Sequence, residues 1–402
     1  MRQRYEIGRD PLTTANGVEN PQTDLYPDLL AGPAVLDRGD ESPLVISRYA
    51  DIVFINQQKS VLGNGDSGPQ IGGDQRLLPL DVDGDQHTRF RRLLDPLFAP
   101  KSKTSQIVGL DVEVRKLANA LIDGFIDTGE VDLYEEFCTP LPTMIFVSML
   151  GLPESDRPFF LQFVKDIVHA DGASPEADAE GRQDAAMRMF VYLNEQYELR
   201  DANPDGYHGL LVGLAQAEVD GMKLTRQEQL NVTLLLMVAG LDTVTSALAL
   251  MFNRLAQNPD EQDAVREDSS LAASAVEELL RWESPVQWGH RLATEDLLLP
   301  SGQEIKAGDH MQLIWAAGNL DEDGLDEAGS VKLDRKANRH LAFASGVHRC
   351  LGSHLARLEL RCALEEFHAR VSEYRIKPGE SVRFAGGHVR TVDYLPMILK
   401  AR

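Results

Sequence analysis

Apolar residues recur at helical spacing through the middle of this 402-residue chain, from about residue 86 to about residue 283. The clearest helix begins at a capping box, Thr225 with Glu228, and runs to Asn258 and Pro259. At about 1.5 Å per residue this helix is roughly 50 Å long, so it must cross the whole molecule. Clusters of glycine and proline predict breaks elsewhere in the region, at residues 151–153, 172–175 and 202–204.

The part of the chain before residue 86 has a different pattern. Residues 1–42 are rich in proline, glycine and aspartate and predict an irregular opening segment. Residues 43–56 contain two apolar runs, which predict two short strands around a turn. A glycine-rich stretch at residues 61–73 predicts a loop.

Short strands and turns are predicted again after Pro285, and the acidic run at residues 321–329 is expected to be a solvated loop. The fold class predicted is therefore mainly α with smaller β regions. We expect one domain over residues 1–402, with a helix-rich part at about 86–283 and mixed α/β parts at about 1–85 and 284–402.

Composition narrows the class of protein. Hydrophobic residues make up 43% and charged residues 26%, which is typical of a folded globular chain. The net charge of -23 argues against binding to nucleic acid or to an anionic membrane, because the overall field repels phosphates. The longest apolar run, Val232–Leu241, is about half a membrane span, so we expect no membrane anchor and a cytoplasmic location.

Cys350 is one of only three cysteines and lies between two glycines in the sequence FASGVHRCLG, just before a helical pattern. A helix N-terminus and free backbone amides favour a thiolate at such a place. Three hypotheses follow: a buried cysteine that acts as a small hydrophobe, a zinc site with His348 and His354, or an axial thiolate ligand of a haem iron.

The wider pattern around Cys350 selects among them. It comprises Phe343, Gly346, His348, Cys350, Gly352, Leu355, Ala356 and Arg357. This spacing resembles the cysteine loop of the cytochrome P-450 family, and the resemblance implies haem b with Cys350 as the iron ligand. Phe343 and Gly352 are then expected beside the haem. Ala344 departs from the family, which usually has glycine there.

Other segments match the same family in order. Glu278 and Arg281 form its Glu-x-x-Arg pair, which braces the core behind the haem together with a third arginine. At the matching place this chain has Ser330, so the third partner is Ser330, absent, or replaced by Arg335.

The resemblance also implies partners for the two haem propionates. Those predicted are His87, Arg91, Arg291 and His348. His87 and Arg91 are one helical turn apart and can reach two carboxylates together.

The centre of the long helix carries an acid and a hydroxyl in an apolar run. The sequence AGLDT, residues 239–243, matches the segment that passes over the haem in the family. The resemblance implies that Gly240 makes room for dioxygen and that Asp242 and Thr243 deliver protons to it. The structural alternative is that Thr243 bonds back to the Ala239 carbonyl while Asp242 lies at the surface.

The function implied is a haem-thiolate monooxygenase that inserts one atom of O2 into a C–H bond of a hydrophobic terpenoid, steroid or aromatic compound. The predicted pocket comprises the loop from about residue 62 to 78 and Leu235, Leu236, Ala239, Val286, Gln287, Trp288 and Val392, with Gln287, Trp288 or His290 as a polar contact.

Electrons are expected from a separate ferredoxin and ferredoxin reductase, with NAD(P)H used only indirectly, and the protein is expected to be a monomer. The predicted docking patch contains Arg89, Arg92, Lys101, Lys103, Arg339 and Arg349. Two alternatives remain, a peroxide-driven peroxygenase of the same fold and a non-catalytic haem sensor or carrier. The first resembles this chain less because such enzymes generally lack the pair Asp242 and Thr243.

Overall fold

The computed structural model describes residues 18–39, 42–63, 76–168 and 175–402. Its helices are α1 (Pro21–Asp24), α2 (Tyr26–Ala31), α3 (Tyr49–Gln57), α4 (Gly84–Phe98), α5 (Leu110–Phe125), α6 (Pro140–Leu150), α7 (Arg157–Val168), α8 (Pro175–Ala202), α9 (Leu210–Gln216), α10 (Arg226–Gln257), α11 (Pro259–Glu267), α12 (Ala272–Glu283), α13 (Trp315–Gly318) and α14 (Ser353–Arg370). A π-helical segment spans Tyr134–Cys138.

The strands are short and lie mostly toward the two ends of the chain. They are β1 (Val35–Leu36), β2 (Leu44–Ile46), β3 (Val61–Leu62), β4 (Glu130–Asp132), β5 (Glu218–Val219), β6 (Met222–Lys223), β7 (Gly289–Ala293), β8 (Leu297–Leu298), β9 (Glu304–Ile305), β10 (His310–Leu313), β11 (Val371–Ile376), β12 (Arg383–Ala385), β13 (Thr391–Tyr394) and β14 (Pro396–Ala401). The prediction of a mainly α fold with smaller β regions is confirmed.

The long helix predicted from Thr225 is α10. The capping box is formed: the Glu228 amide donates to Thr225 Oγ1 at 3.2 Å, and the Thr225 amide donates to Glu228 Oε2 at 2.8 Å. Most of α10 is buried, and it packs against α6, α8, α12, α14 and β13. It therefore forms the centre of the core, as its length requires.

The predicted helix breaks have two outcomes. α6 ends at Leu150 and α8 ends at Ala202, so the breaks at 151–153 and 202–204 are confirmed. Residues 172–174 of the third break, most of the predicted loop at 61–73, and residues 1–17 lie outside the described residues.

The prediction of a second strand in residues 43–56 is wrong, because residues 49–57 form helix α3. Ile52 and Ile55, three residues apart, are both fully buried on one face of this helix. A carboxylate oxygen of Asp321 accepts a hydrogen bond from the Tyr49 amide at 2.8 Å and so satisfies the helix N-terminus. Asp321 is buried, so the acidic run at 321–329 is only partly a solvated loop.

One five-stranded sheet joins the N-terminal region to the region after Pro285. Its strand order is β1-β2-β10-β7-β3, with β2 and β10 parallel and the other neighbours antiparallel. This sheet places Arg291 of β7 near Asn56 at the end of α3, which is where the candidate site begins.

Among the described residues, α10 alone is long and apolar enough to cross a membrane by length and composition. Because 72% of its most apolar window is buried inside the protein, a core helix explains the same pattern.

Candidate active site

The loop that carries Cys350 is closed by a backbone hydrogen bond from the Cys350 amide to the Phe343 carbonyl, at 3.0 Å. Gly346 has φ +71°, and a Cβ atom there would lie 1.9 Å from the carbonyl oxygen of Asn56. Only glycine fits this close approach. Ala344 also adopts a left-handed conformation, with φ +52°, where a residue with a side chain is strained.

The sulfur of Cys350 lies in an unusual environment. Cys138 and Cys362 are buried, whereas Cys350 has accessible surface. Burial nevertheless raises the pKa of the Cys350 thiol, opposed by the Gly352 backbone amide and by nearby arginines that include Arg91. A cysteine with accessible surface does not fit the hypothesis of a small buried hydrophobe.

The zinc hypothesis gains no support from the geometry. No group of three or more histidine, cysteine, aspartate or glutamate side chains among the described residues could hold a metal ion. A single accessible cysteine suits a metal carried by a prosthetic group.

The side chains predicted to contact the propionates gather beside the cysteine loop. The rings of His87 and His348 lie 4.2 Å apart, centroid to centroid. Arg91, one turn after His87 on α4, donates to the Arg349 carbonyl at 2.7 Å. Burial, reinforced by the positive charges of His348 and Arg91, lowers the pKa of His87 to about 4. His87 is therefore uncharged at neutral pH, and an anion bound here would pair with Arg91 and accept a hydrogen bond from the imidazole.

Arg291 approaches the loop from the sheet. Its Nε donates to Asn56 Oδ1 at 3.1 Å, and Asn56 Nδ2 donates to the hydroxyl of Ser345 at 3.1 Å. Burial lowers the pKa of Arg291 to about 10, which marks a cation held in a poorly solvated place. An anionic group of a ligand bound there would offset the free-energy cost of burying the Arg291 cation.

Asp83 is a further member of this cluster that the sequence did not single out. Its carboxylate bonds to Nε2 of His348 at 2.8 Å and accepts the Gly63 amide at 2.9 Å. It thus ties the end of β3 and the start of α4 to the cysteine loop. The available signal was an acid at the N-cap position, four residues before His87.

The centre of α10 has one open stripe on an otherwise buried helix. Leu235, Ala239 and Thr243 follow one another at i, i+4 and i+8, and all three have accessible surface. Leu236 lies on the same side of α10, three residues before Ala239 and seven before Thr243, but it is buried, and its place in the pocket remains a prediction.

Asp242 and Thr243 differ in their surroundings. The Thr243 hydroxyl donates to the Ala239 carbonyl at 2.8 Å, but Asp242 is buried, so the alternative of a surface Asp242 is wrong. Burial raises the pKa of Asp242 to about 7. Its Oδ1 atom is buried without a hydrogen-bond partner among the described residues, which is costly unless the group has a function.

Gly240 has a packing reason that the sequence did not suggest. A Cβ atom there would lie 3.0 Å from the ring of Phe146 on α6. The missing side chain therefore lets α6 approach α10, and the expectation that it makes room for dioxygen is untested.

Glu278 and Arg281 pair with full burial, at 2.8 Å between Nη2 and Oε1. The third partner is Arg335, whose Nε lies 2.9 Å from Glu278 Oε2. Burial alone would raise the pKa of Glu278, but the hydrogen bonds from Arg281 and Arg335 hold it below its usual value. Ser330 contributes its backbone carbonyl, which accepts from both arginines.

Several other residues predicted to line the pocket are buried among protein side chains. Gln287 is fully buried, accepting from the Tyr26 hydroxyl at 2.6 Å and donating to the Gly387 carbonyl at 2.8 Å. Trp288 packs in a separate apolar cluster with Tyr26, and Val392 is fully buried in the main core. Among these residues, Val286 keeps accessible surface.

His290 is also excluded as a polar contact for the substrate. It alternates with Arg291 along β7, so the two side chains lie on opposite faces of the sheet. Arg291 points toward the cysteine loop, and His290 therefore points away from it.

The predicted docking patch is only partly available. Arg89 pairs with Glu228 at 2.7 Å and Arg92 with Asp220 at 2.8 Å. The other four members are exposed: Lys101, Lys103, Arg339 and Arg349.

These features fit a haem. Cys350 is exposed while the other two cysteines are buried, basic and imidazole groups gather on one side of the cysteine loop, and α10 has an open stripe at its centre. Cys350 would hold the iron, and His87, Arg91, Arg291 and His348 would hold the two propionates.

Comparison with known proteins gives the same answer. Residues 177–383 match the family model described as cytochrome P450. A probable cytochrome P450 127A1 of Sinorhizobium fredii is 32% identical over 79% of this chain and 74% of its own length. A steroid C26-monooxygenase of Mycobacterium tuberculosis is 30% identical over 84% of this chain and 88% of its own length.

A solved structure, CYP109E1 of Bacillus megaterium in complex with corticosterone, superposes with a TM-score of 0.84 at 24% identity, over 94% of this chain and 98% of that one. The match to the family model spans more than half of the chain and includes the cysteine loop. The chain therefore belongs to the cytochrome P450 family and is a cytochrome P450 monooxygenase.

Proposed function

We propose that Cys350 binds the iron of haem b and that the enzyme inserts one atom of O2 into a C–H bond of a hydrophobic small molecule. The observation that carries this proposal is the exposed Cys350, next to the start of α14, in a protein whose other two cysteines are buried. When bound, the haem supplies the oxygen activation and the electron density of its thiolate ligand promotes O–O cleavage.

The residues of the protein would bind the haem and orient it. The Gly352 amide and the arginines near Cys350 stabilise the anionic sulfur against the effect of burial. His348 would contact a propionate while Asp83 fixes the orientation of its ring. Arg291, already poorly solvated, gains a counter-charge from the same group.

Asp242 and Thr243 would move protons. Thr243 lies on the open stripe and can donate to a ligand or water there, although in this structure it bonds to the Ala239 carbonyl. Asp242 titrates near pH 7, since burial raises its pKa to about 7, so both of its protonation states are accessible at neutral pH. This pair favours a monooxygenase over a peroxygenase, which receives its oxygen already reduced.

We infer an apolar substrate of steroid or terpenoid type. The open positions of the predicted pocket are Leu235, Ala239 and Val286, none of which offers a polar side chain. The steroid C26-monooxygenase among the relatives and the corticosterone complex among the solved structures support this class.

Electrons would come from a ferredoxin and its reductase, with NAD(P)H used indirectly. Arg349 and Arg339 are exposed beside the cysteine loop, and so is the apolar side chain of Val347. A basic rim around an apolar contact suits an acidic redox protein. A monomeric state and a cytoplasmic location remain predictions.

The test of the ligand is the spectrum of the reduced carbon monoxide complex. We expect an absorption band near 450 nm, as in the family, which Cys350→Ser abolishes. Cys138→Ser is the matched control because Cys138 is fully buried and should leave the band in place. A band that survives Cys350→Ser would refute the ligand assignment.

Oxygen chemistry needs a second measurement. Steroids and terpenoids that shift the spin state of the haem are incubated with a ferredoxin, its reductase and labelled O2. One labelled oxygen atom in the product supports the monooxygenase. Turnover only with added peroxide would indicate the peroxygenase, and no turnover with either oxidant would indicate a haem sensor or carrier.

A further inference from the structure

We propose that Glu277 and Arg357 form a compensated charge pair that positions Phe343 and limits the positive charge acting on the Cys350 sulfur. Glu277 is thus a positioning residue for the haem ligand, separate from its neighbour Glu278. This inference rests on the proposed function, since it concerns the haem bound through Cys350.

The two adjacent acids of α12 hold different parts of the chain. Glu278 binds Arg281 and Arg335, whereas Glu277 binds Arg357 on α14. The contact of Arg357 is bidentate, with Nε 2.6 Å from one carboxylate oxygen of Glu277 and Nη2 2.8 Å from the other. Such fork geometry fixes the guanidinium plane as well as its distance.

Arg357 passes this constraint to the cysteine loop. Its guanidinium carbon lies 4.4 Å from the centre of the Phe343 ring, within the range of a cation–π contact. The Phe343 carbonyl in turn accepts the Cys350 amide at 3.0 Å. Arg357 therefore contacts the start of the loop through Phe343. It also belongs to the helix at the end of the loop, because α14 starts three residues after Cys350.

His340 completes the cluster from the other side. Its Nε2 lies 3.1 Å from Glu277 Oε2, and its Nδ1 accepts the Ala342 amide at 3.2 Å. The neutral tautomer with hydrogen on Nε2 satisfies both bonds. His340 is then a neutral donor to Glu277. The negative charge of Glu277 therefore still offsets the positive charge of Arg357.

The electrostatic consequence has a definite sign. The positive charge of Arg357 favours electron density on the sulfur and makes the ferric state less favourable. Glu277 opposes that charge, because both of its carboxylate oxygens contact the Arg357 guanidinium. Loss of Glu277 should raise the reduction potential of the haem, and loss of Arg357 should lower it. Damage to packing alone would not give opposite signs.

The experiment is an optical redox titration of the haem-bound protein with Glu277→Gln, Arg357→Leu and the double variant. We expect an upward shift of the potential for the first, a downward shift for the second, and a value near wild type for the double variant. Arg357→Lys keeps the positive charge, so its potential should stay close to wild type even if the loop changes conformation. Arg361→Leu is the matched control, since Arg361 lies one turn further along α14 and pairs only weakly, at 3.8 Å, with Glu365.

The outcomes separate this inference from the proposed function. A wild-type protein without the band near 450 nm would overturn both. A normal wild-type band with potential shifts of the same sign in the two single variants, or with shifts no larger than in Arg361→Leu, would overturn the charge pair alone.

Discussion

Ala344→Gly tests whether the cysteine loop is strained at the position where this chain departs from its family. Ala344 has φ +52°, and the left-handed conformation costs a residue with a Cβ atom about 1–2 kcal/mol. Glycine removes that strain but adds about 0.4–1 kcal/mol of conformational entropy to the unfolded chain. The difference predicts a gain of roughly 0.5–1 kcal/mol in the free energy of unfolding.

The expected shift in the thermal midpoint is small but has a definite sign. An unfolding entropy of about 2.1 cal/mol/K per residue over 402 residues gives about 0.8 kcal/mol/K, so the midpoint should rise by roughly 1 °C. The assay is calorimetry of the haem-bound protein under matched conditions. Because the Ala344 amide bonds to the Leu341 carbonyl at 2.8 Å through its backbone, the substitution leaves that bond in place.

Gly346→Ala is the control with the opposite expectation. It imposes the same left-handed cost of about 1–2 kcal/mol, and its new Cβ atom would also overlap the Asn56 carbonyl at 1.9 Å. The midpoint should therefore fall by more than about 2 °C. A lower midpoint for Ala344→Gly would refute the strain and would mean that the methyl group of Ala344 makes a stabilising contact.

The sequence predicted best where one local pattern determines one structure. α10 was predicted with its capping box because the Thr225 and Glu228 bonds depend only on residues three apart. The cysteine loop was predicted because its glycines, histidine and cysteine lie within ten consecutive residues, at a spacing typical of one kind of loop. The pair Glu278 and Arg281 lies within one helical turn, so its spacing alone allows the contact.

Predictions failed where contacts between residues far apart in sequence determine the local structure. The segment 49–57 is a helix because its N-terminus is satisfied by Asp321, 272 residues away in sequence. Gln287 was predicted to line the pocket, yet the Tyr26 hydroxyl holds it from 261 residues away. Short apolar runs and single polar residues do not indicate such distant partners.

In the candidate site, too, contacts within a short motif were predictable, whereas contacts between distant residues were not. Arg335 replaces the usual third arginine, but the sequence could offer it only as one possibility beside Ser330. Asp83 and Glu277 were missed because their partners His348 and Arg357 lie on distant parts of the chain. The residues proposed to bind the haem were indicated by motifs, whereas the residues that contact them were not.

Two further predictions concern buried charges. Arg335→Met leaves the fully buried Glu278 with only one arginine and should lower the free energy of unfolding by about 2–3 kcal/mol in urea titrations. Lys336→Met, at the exposed neighbouring position, should change it by less than about 0.5 kcal/mol, and equal effects would contradict the role of Arg335. Asp242→Asn should flatten the pH dependence of stability. Burial raises the pKa of Asp242 from 3.8 to about 7, so between these values the folded protein binds a proton that the unfolded chain lacks. The free energy of unfolding therefore falls as pH rises from about 4 to about 7, by up to about 4 kcal/mol at about 1.36 kcal/mol per pKa unit. The asparagine variant should lose this slope while Asp260→Asn, at an exposed position, keeps it, and parallel profiles for wild type and Asp242→Asn would show that Asp242 is already ionised in the folded protein.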